Sequence, residues 1–92
     1  VDDGGWFEWD DANEGHIWEH GIDPGEIEEA LLDPDRVGAD AYNVPHERRD
    51  AAIGATLAGR ILYVVFTMRG EKVRPVTARD TDDGQKRRYR RR

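Results

Sequence analysis

The run Ile61-Leu62-Tyr63-Val64-Val65-Phe66 is apolar at every position and rich in β-branched and aromatic residues. It lacks the in–out alternation of a half-exposed strand, so it reads as a central strand buried on both faces of a sheet. Ala58-Gly59 precedes it and Arg69-Gly70 follows it, short glycine-containing connections that favour hairpins. Working outward, the spacing predicts an antiparallel meander with strands over 49–56, 60–68 and 72–78. Pro75 donates no ladder hydrogen bond, so the last strand must lie at an edge or carry a bulge. The strand-like period begins at Val37, with turn residues at Gly38 and from Asn43 to Pro45, giving three or four strands in all.

Upstream, Trp6, Phe7 and Trp9 predict a short first strand that leads directly into a helix. Asp11 and Glu14 have capping-box spacing and Gly21 is a natural stop, which places that helix over 12–20. Asp23, Pro24 and Glu26 repeat the start signal, with proline at the first helical position. Ile27, Ala30 and Leu31 then form one apolar stripe opposite Glu28 and Glu29, and Asp33-Pro34 ends the element. Residues 81–89 open with Asp82 and Asp83 and close with arginines, the sign order a helix dipole favours, although Gly84 weakens the helix. The order predicts an α+β fold, an antiparallel sheet with two N-terminal helices packed on one face and a C-terminal helix.

At 92 residues the chain is expected to form a single domain, 1–92, with a basic tail from about 85 to 92. Without cysteine it has neither a disulfide framework nor a thiolate metal cluster, and a reducing cytoplasm is the expected location. The longest apolar stretch, 61–66, falls far short of the ~18 residues of a membrane helix, so no membrane association is expected. The net charge of −6 hides an asymmetry. Residues 1–47 carry 15 acidic side chains against Arg36 alone, whereas residues 48–92 carry 13 basic ones against 5 acidic. An acidic protein of this kind can still offer a polyanion a positive face. A solvated tail accounts for Lys86, Arg87, Arg88, Arg90, Arg91 and Arg92. It leaves Arg48, Arg49, Arg60, Arg69, Lys72, Arg74 and Arg79 on or beside strands, where a sheet can gather them.

Phe7-Glu8-Trp9-Asp10, Asn13, His16-Ile17, His20-Gly21-Ile22, Glu26 and Glu28-Glu29-Ala30 resemble the N-terminal signature of the BrnT family. The resemblance continues through Arg49-x-x-Ala52-Ile53-Gly54, Gly59-Arg60, Val64-Val65-Phe66-Thr67-x-Arg69-Gly70, Val76-Thr77-Ala78-Arg79 and Lys86-Arg87-Arg88-Tyr89. It implies a RelE-like toxin of a type II toxin-antitoxin system, a small α+β endoribonuclease that inhibits translation. It also implies a cognate ribbon-helix-helix antitoxin, with operator DNA bound only through the antitoxin complex. The chain departs from the pattern at Glu19, often basic in the family, at Asp50, where an aromatic is expected, and at Pro75, where an apolar strand residue is lost. An anionic side chain beside a scissile phosphate opposes binding.

Metal-independent RNA cleavage removes a proton from the ribose 2′-OH, stabilises a phosphorane and protonates the leaving 5′-oxygen. Arginine suits the second task, because its planar fork pairs two phosphate oxygens and stays charged. Arg49 and Arg79, both within family motifs, are the expected clamps. His20 is the expected proton-transfer group, with His16 as substitute. Lys86, Arg87, Arg88 and Tyr89 are expected nucleic-acid contacts, and no cofactor or metal is expected. Two rivals stand beside this reading. His16-Ile17-Trp18-Glu19-His20 is an H-x-x-E-H string, which with Glu26, Glu28 or Glu29 as third ligand would describe a zinc-dependent hydrolase. Alternatively the basic half binds nucleic acid without cutting it, as a regulatory protein or degenerate toxin, since phosphate affinity needs only Lys and Arg.

Overall fold

The apolar run lies in β3 (Ile61–Arg69), which is paired on both sides by antiparallel neighbours. A computed structural model describes residues 5–41 and 44–91. Asn43 of the expected turn and Arg92 of the tail lie outside the described residues. With β1 (Val37–Ala39), β2 (Asp50–Ala55) and β4 (Lys72–Asp80), β3 forms a four-stranded sheet in the order β1-β2-β3-β4, the expected meander. Pro75 meets both of its conditions: β4 is an edge strand, and its ladder slips where Val65 faces Thr77 but Phe66 faces Pro75, leaving Val76 as the extra residue.

Two helices, α1 (Asp11–Glu19) and α2 (Pro24–Leu32), cover one face of the sheet. Ile17, Ile22, Ile27, Ala30 and Leu31 pack there against Ala52, Leu62, Val64 and Ala78. Burial of these side chains, about 1.5–3 kcal/mol for each Ile, Leu and Val and less for each Ala, is the main force holding helices to sheet. The approach is close. A Cβ at Gly54 would lie 2.0 Å from the carbonyl oxygen of Ala30, so only glycine lets α2 sit this near β2. Val65 and Ile53, whose side chains alternate onto the opposite face, are buried as well. A third helix, α3 (Asp83–Arg90), packs against β2.

The α2 start is as the sequence predicts: Asp23 caps the helix, Pro24 opens it and the Glu26 carboxylate accepts from the Asp23 backbone N–H. The α1 start differs. Its cap is Asp10, not Asp11, and Asn13 replaces Glu14 as the returning partner. Asp10 is in extended backbone and its carboxylate accepts from the N–H groups of Ala12 and Asn13. The preceding aromatic run forms no strand but a single parallel bridge of Phe7 to Val73. Two residues further on, the indole of Trp9 donates to Glu28 Oε2 at 2.7 Å, and the chain leaves the sheet edge to begin its helix.

Some of the strand arginines are neutralised by carboxylates, most of them from the acidic half. Arg60 pairs with Asp80 and Glu26, Arg74 with Glu8 and Asp10, and Arg49 with Glu47. Among the described residues no helix is long and apolar enough to cross a membrane.

Candidate active site

The register of β3 with its neighbours arranges side chains of one face in rows. Ala51 and Thr77 flank Val65, and Ile53 and Arg79 flank Tyr63. One step the other way, Arg74 faces Thr67, whose hydroxyl donates to the Arg48 carbonyl at 2.7 Å and so holds Arg49 alongside. Arg49 and Arg79 therefore share a face but lie four residues apart along β3, about 14 Å at the strand rise. They line different cavities.

Arg49 lines an open cavity of about 270 Å³ walled by Asn13 and His16 of α1, by Glu47, and by Arg69, Arg74 and Pro75. Its guanidinium Nε donates to Glu47 Oε2 at 2.8 Å, and Arg69 reaches the other Glu47 oxygen at 3.6 Å. The Arg49 guanidinium, and after it Arg69, holds the Glu47 carboxyl below its usual range. Arg74 is the most enclosed of these cations, 15% exposed, and grips Asp10 at 2.9 Å and Glu8 at 3.1 Å. Its bond to Asp10, backed by the Asn13 N–H, lowers the Asp10 pKa in turn. Arg74 thus ties the start of α1 to β4, while Arg49 and Arg69 share one carboxylate that an incoming phosphate could replace.

His16, rather than His20, stands on the cavity wall. Its Nε2 is 3.0 Å from Thr77 Oγ1, in the row between those of Arg49 and Arg79. His20 is the cap residue at the end of α1, with its backbone N–H donating to Ile17 O at 3.0 Å, and its ring meets that of His16 edge to face at 4.7 Å. The zinc arrangement lacks its third ligand. Glu26 is held by Arg60, Glu28 by the Trp9 indole and Glu29 by the Leu57 N–H. Among the described residues no group of three or more His, Asp or Glu side chains is placed to hold a metal ion.

Arg79 lies over the Tyr63 ring, 4.5 Å from its centroid, and donates to Gln85 Oε1 at 3.0 Å and to the Asp80 carbonyl at 3.3 Å. It lines a second open cavity, about 420 Å³, together with Ala39, Asp40, Ile53, Asp82 and Arg88. On α3, Arg87 and Arg88 are exposed and Lys86 is half-buried. Tyr89, expected with them to face nucleic acid, is instead buried, and its hydroxyl donates to the Asp33 carboxylate at the end of α2. The amphipathic turn of α3 requires this: one apolar side chain in a basic helix is what anchors it.

Glu47 is an addition that the sequence did not single out, and Arg69, named above among the strand cations, gains a place in the site. Glu47-x-Arg49 is a period-two pair on one side of an extended chain, a legible signal. Arg69 gives none, since its place beside Glu47 depends on the β2–β3 register. His46, at the turn just before, has φ +69, a left-handed backbone that directs the chain into Glu47.

Residues 9–84 match the family model described as ribonuclease toxin, BrnT, of type II toxin-antitoxin system. No curated protein matches the chain.

Proposed function

Because the chain belongs to the BrnT family of ribonuclease toxins of type II toxin-antitoxin systems, we propose that it inhibits translation as a metal-independent endoribonuclease acting in the cytoplasm. The observation that carries this reading is the cavity in which His16 stands beside Arg49 and Arg69. Those three side chains supply a proton carrier and two fixed positive charges, the minimum for transesterification of an RNA phosphodiester. The 2′-OH loses its proton to the imidazole as its oxygen attacks phosphorus. Arg49 and Arg69 turn from Glu47 to the non-bridging oxygens, and the P–O5′ bond breaks as the 5′-oxygen takes up a proton returned from the imidazolium pair, leaving a 2′,3′-cyclic phosphate. His20, in ring contact with His16, is the expected second proton carrier. Arg79 and the cations Lys86, Arg87 and Arg88 hold the strand to one side of the cleaved bond.

Family membership implies an antitoxin partner. We infer a ribbon-helix-helix protein that covers the cationic face and carries the complex to operator DNA, since one protein on that face silences both binding and cleavage. The test is incubation of the antitoxin-free protein with single-stranded RNA in excess chelator. Fragments ending in a cyclic phosphate are expected. Cleavage abolished by chelator and restored by zinc would replace this mechanism with metal hydrolysis, and RNA binding without cleavage would favour a regulatory protein. The Glu47 carboxylate held between Arg49 and Arg69 is what gives that second outcome weight, because it already neutralises part of the cavity.

A further inference from the structure

Arg79 Cζ lies over the Tyr63 ring, 4.5 Å from its centroid, so the pair offers a surface on which a flat ring can rest. Tyr63 is fixed at one end by its hydroxyl, which donates to the Asp40 carbonyl at 2.6 Å. Arg79 is fixed by its cation–π contact and by two hydrogen bonds through one terminal nitrogen, while the side chain itself is exposed. A guanidinium lying over an aromatic face leaves its other side to solvent, and unpaired RNA bases stack on guanidinium planes. The cavity beside it has an apolar side in Ala39 and Ile53 and carries two carboxylates, Asp40 and Asp82. Those carboxylates repel a phosphate but accept from the N–H groups of a base. Arg88, at the margin of the same cavity, is placed for the adjoining phosphate.

We propose that Arg79, stacked on Tyr63, is a platform for one unpaired nucleobase of the RNA substrate, with Arg88 on its phosphate. This rests on the ribonuclease reading and deepens it. The platform lies about 14 Å along β3 from Arg49, so it engages a nucleotide flanking the cleaved bond. It thereby selects single-stranded RNA and sets which phosphodiester reaches Arg49.

Charge and planarity are separated by Arg79→Lys, which keeps the first and removes the second. The probe is a short 2′-O-methyl oligoribonucleotide, which cannot be cleaved, titrated into the whole protein while the Arg79 Nε–H and Tyr63 ring signals are followed by NMR. Both sets of signals are expected to shift to saturation. Arg79→Lys and Arg79→Ala should each weaken binding about tenfold, and removing the base at one position of the oligonucleotide should cost wild type a similar factor. With cleavable RNA the Lys variant should raise KM by the same factor, with kcat falling less. Binding by Arg79→Lys equal to wild type, or an abasic probe bound as tightly as the intact one, would overturn the platform. So would a lysine variant that loses kcat at unchanged KM, the mark of a transition-state clamp. Wild type that shifts and binds as described yet cuts no RNA would sink the ribonuclease reading and leave the base platform standing.

Discussion

The side-chain amide of Asn13 donates to the carbonyl oxygen of Pro75 at 3.0 Å, across 62 positions of sequence. The same nitrogen donates to Glu8 O at 3.0 Å, and the side-chain oxygen accepts from the Asp10 N–H at 2.8 Å. One buried residue therefore closes the cap of α1 and satisfies a carbonyl of the bulged edge strand. Because β4 is an edge strand, a carbonyl that turns away from β3 has no strand partner there, and Asn13 supplies the donor.

Asn13→Asp should accordingly destabilise the protein more than an ordinary cap loss. The substitution keeps the acceptor toward Asp10 but turns the amide nitrogen, with its two N–H donors, into one oxygen aimed at two carbonyl oxygens. Leaving buried acceptors unsatisfied costs ~1–3 kcal/mol each. Denaturant midpoints of Asn13→Asp, Asn13→Ala and wild type check this. A stability for the Asp variant equal to wild type would mean that water replaces the amide freely.

Asp33 gives a second, separable prediction. Its carboxylate accepts from the Asp35 N–H at 2.9 Å, the Ala55 N–H at 2.8 Å and the Tyr89 hydroxyl, joining the end of α2 to β2 and α3. Tyr89→Phe removes one of these bonds and keeps the buried ring, for a loss of about 1–2 kcal/mol, whereas Asp33→Ala removes all three and should cost roughly twice as much. Hydrogen exchange would show the difference as faster opening of α3 in the Phe variant alone and of β2 as well in the Ala variant.

Local signals made most of the fold legible. Asp23-Pro24-Glu26 carries its cap within four residues, and the apolar run 61–66 identified the central strand without knowledge of its neighbours. The α1 cap moved by one residue because Asn13 is chosen by Pro75 O, a partner no local pattern contains. Trp6, Phe7 and Trp9 have strand-like composition, but a single bridge to Val73 and the Trp9–Glu28 bond decide their conformation. For the site, residue type identified Arg49 and Arg79, whereas their separation along β3 and the placing of His16 ahead of His20 follow from register and helix phase. Tyr89 looked like a surface aromatic in a basic tail, and only its contact with Asp33 turns it inward.

Acid should loosen the protein in a defined window. Asp10, Glu47 and Asp80 are each held below their ordinary values of 3.8, 4.5 and 3.8, by Arg74, Arg49 and Arg60 respectively. A group with a lowered folded pKa stabilises the fold above its unfolded value, and that contribution is lost as pH falls through the folded one. Tm should therefore be flat above about pH 5 and decline below about pH 4. Arg74→Gln should be less stable at neutral pH and show a shallower decline, because Asp10 then titrates near its ordinary value. An unchanged slope in that variant would mean that the Arg74 pairs carry no net stability.

Activity should separate the arginines that the fold uses from those the chemistry uses. Arg49→Ala should lower RNA cleavage about 10²–10³-fold, the usual loss for one donor aimed at transition-state charge, and should relieve growth arrest in cells lacking antitoxin. Its folding should change little, because Glu47 and Arg49 are both partly solvated. Arg74→Ala should do the opposite, lowering Tm first, since it holds Glu8 and Asp10 from an enclosed position. His16→Ala should cost ~10²–10⁴-fold if the imidazole moves the proton. His20→Ala should cost less, because its ring reaches the cavity only through His16. Truncation after Tyr89 should weaken binding mainly at low salt, since exposed charges are screened over about 8 Å at physiological ionic strength. Single-turnover cleavage and melting curves on the same preparations give the ranking. Arrest that persists undiminished in an Arg49→Ala, His16→Ala double variant of normal Tm would move the active site away from the α1 cavity.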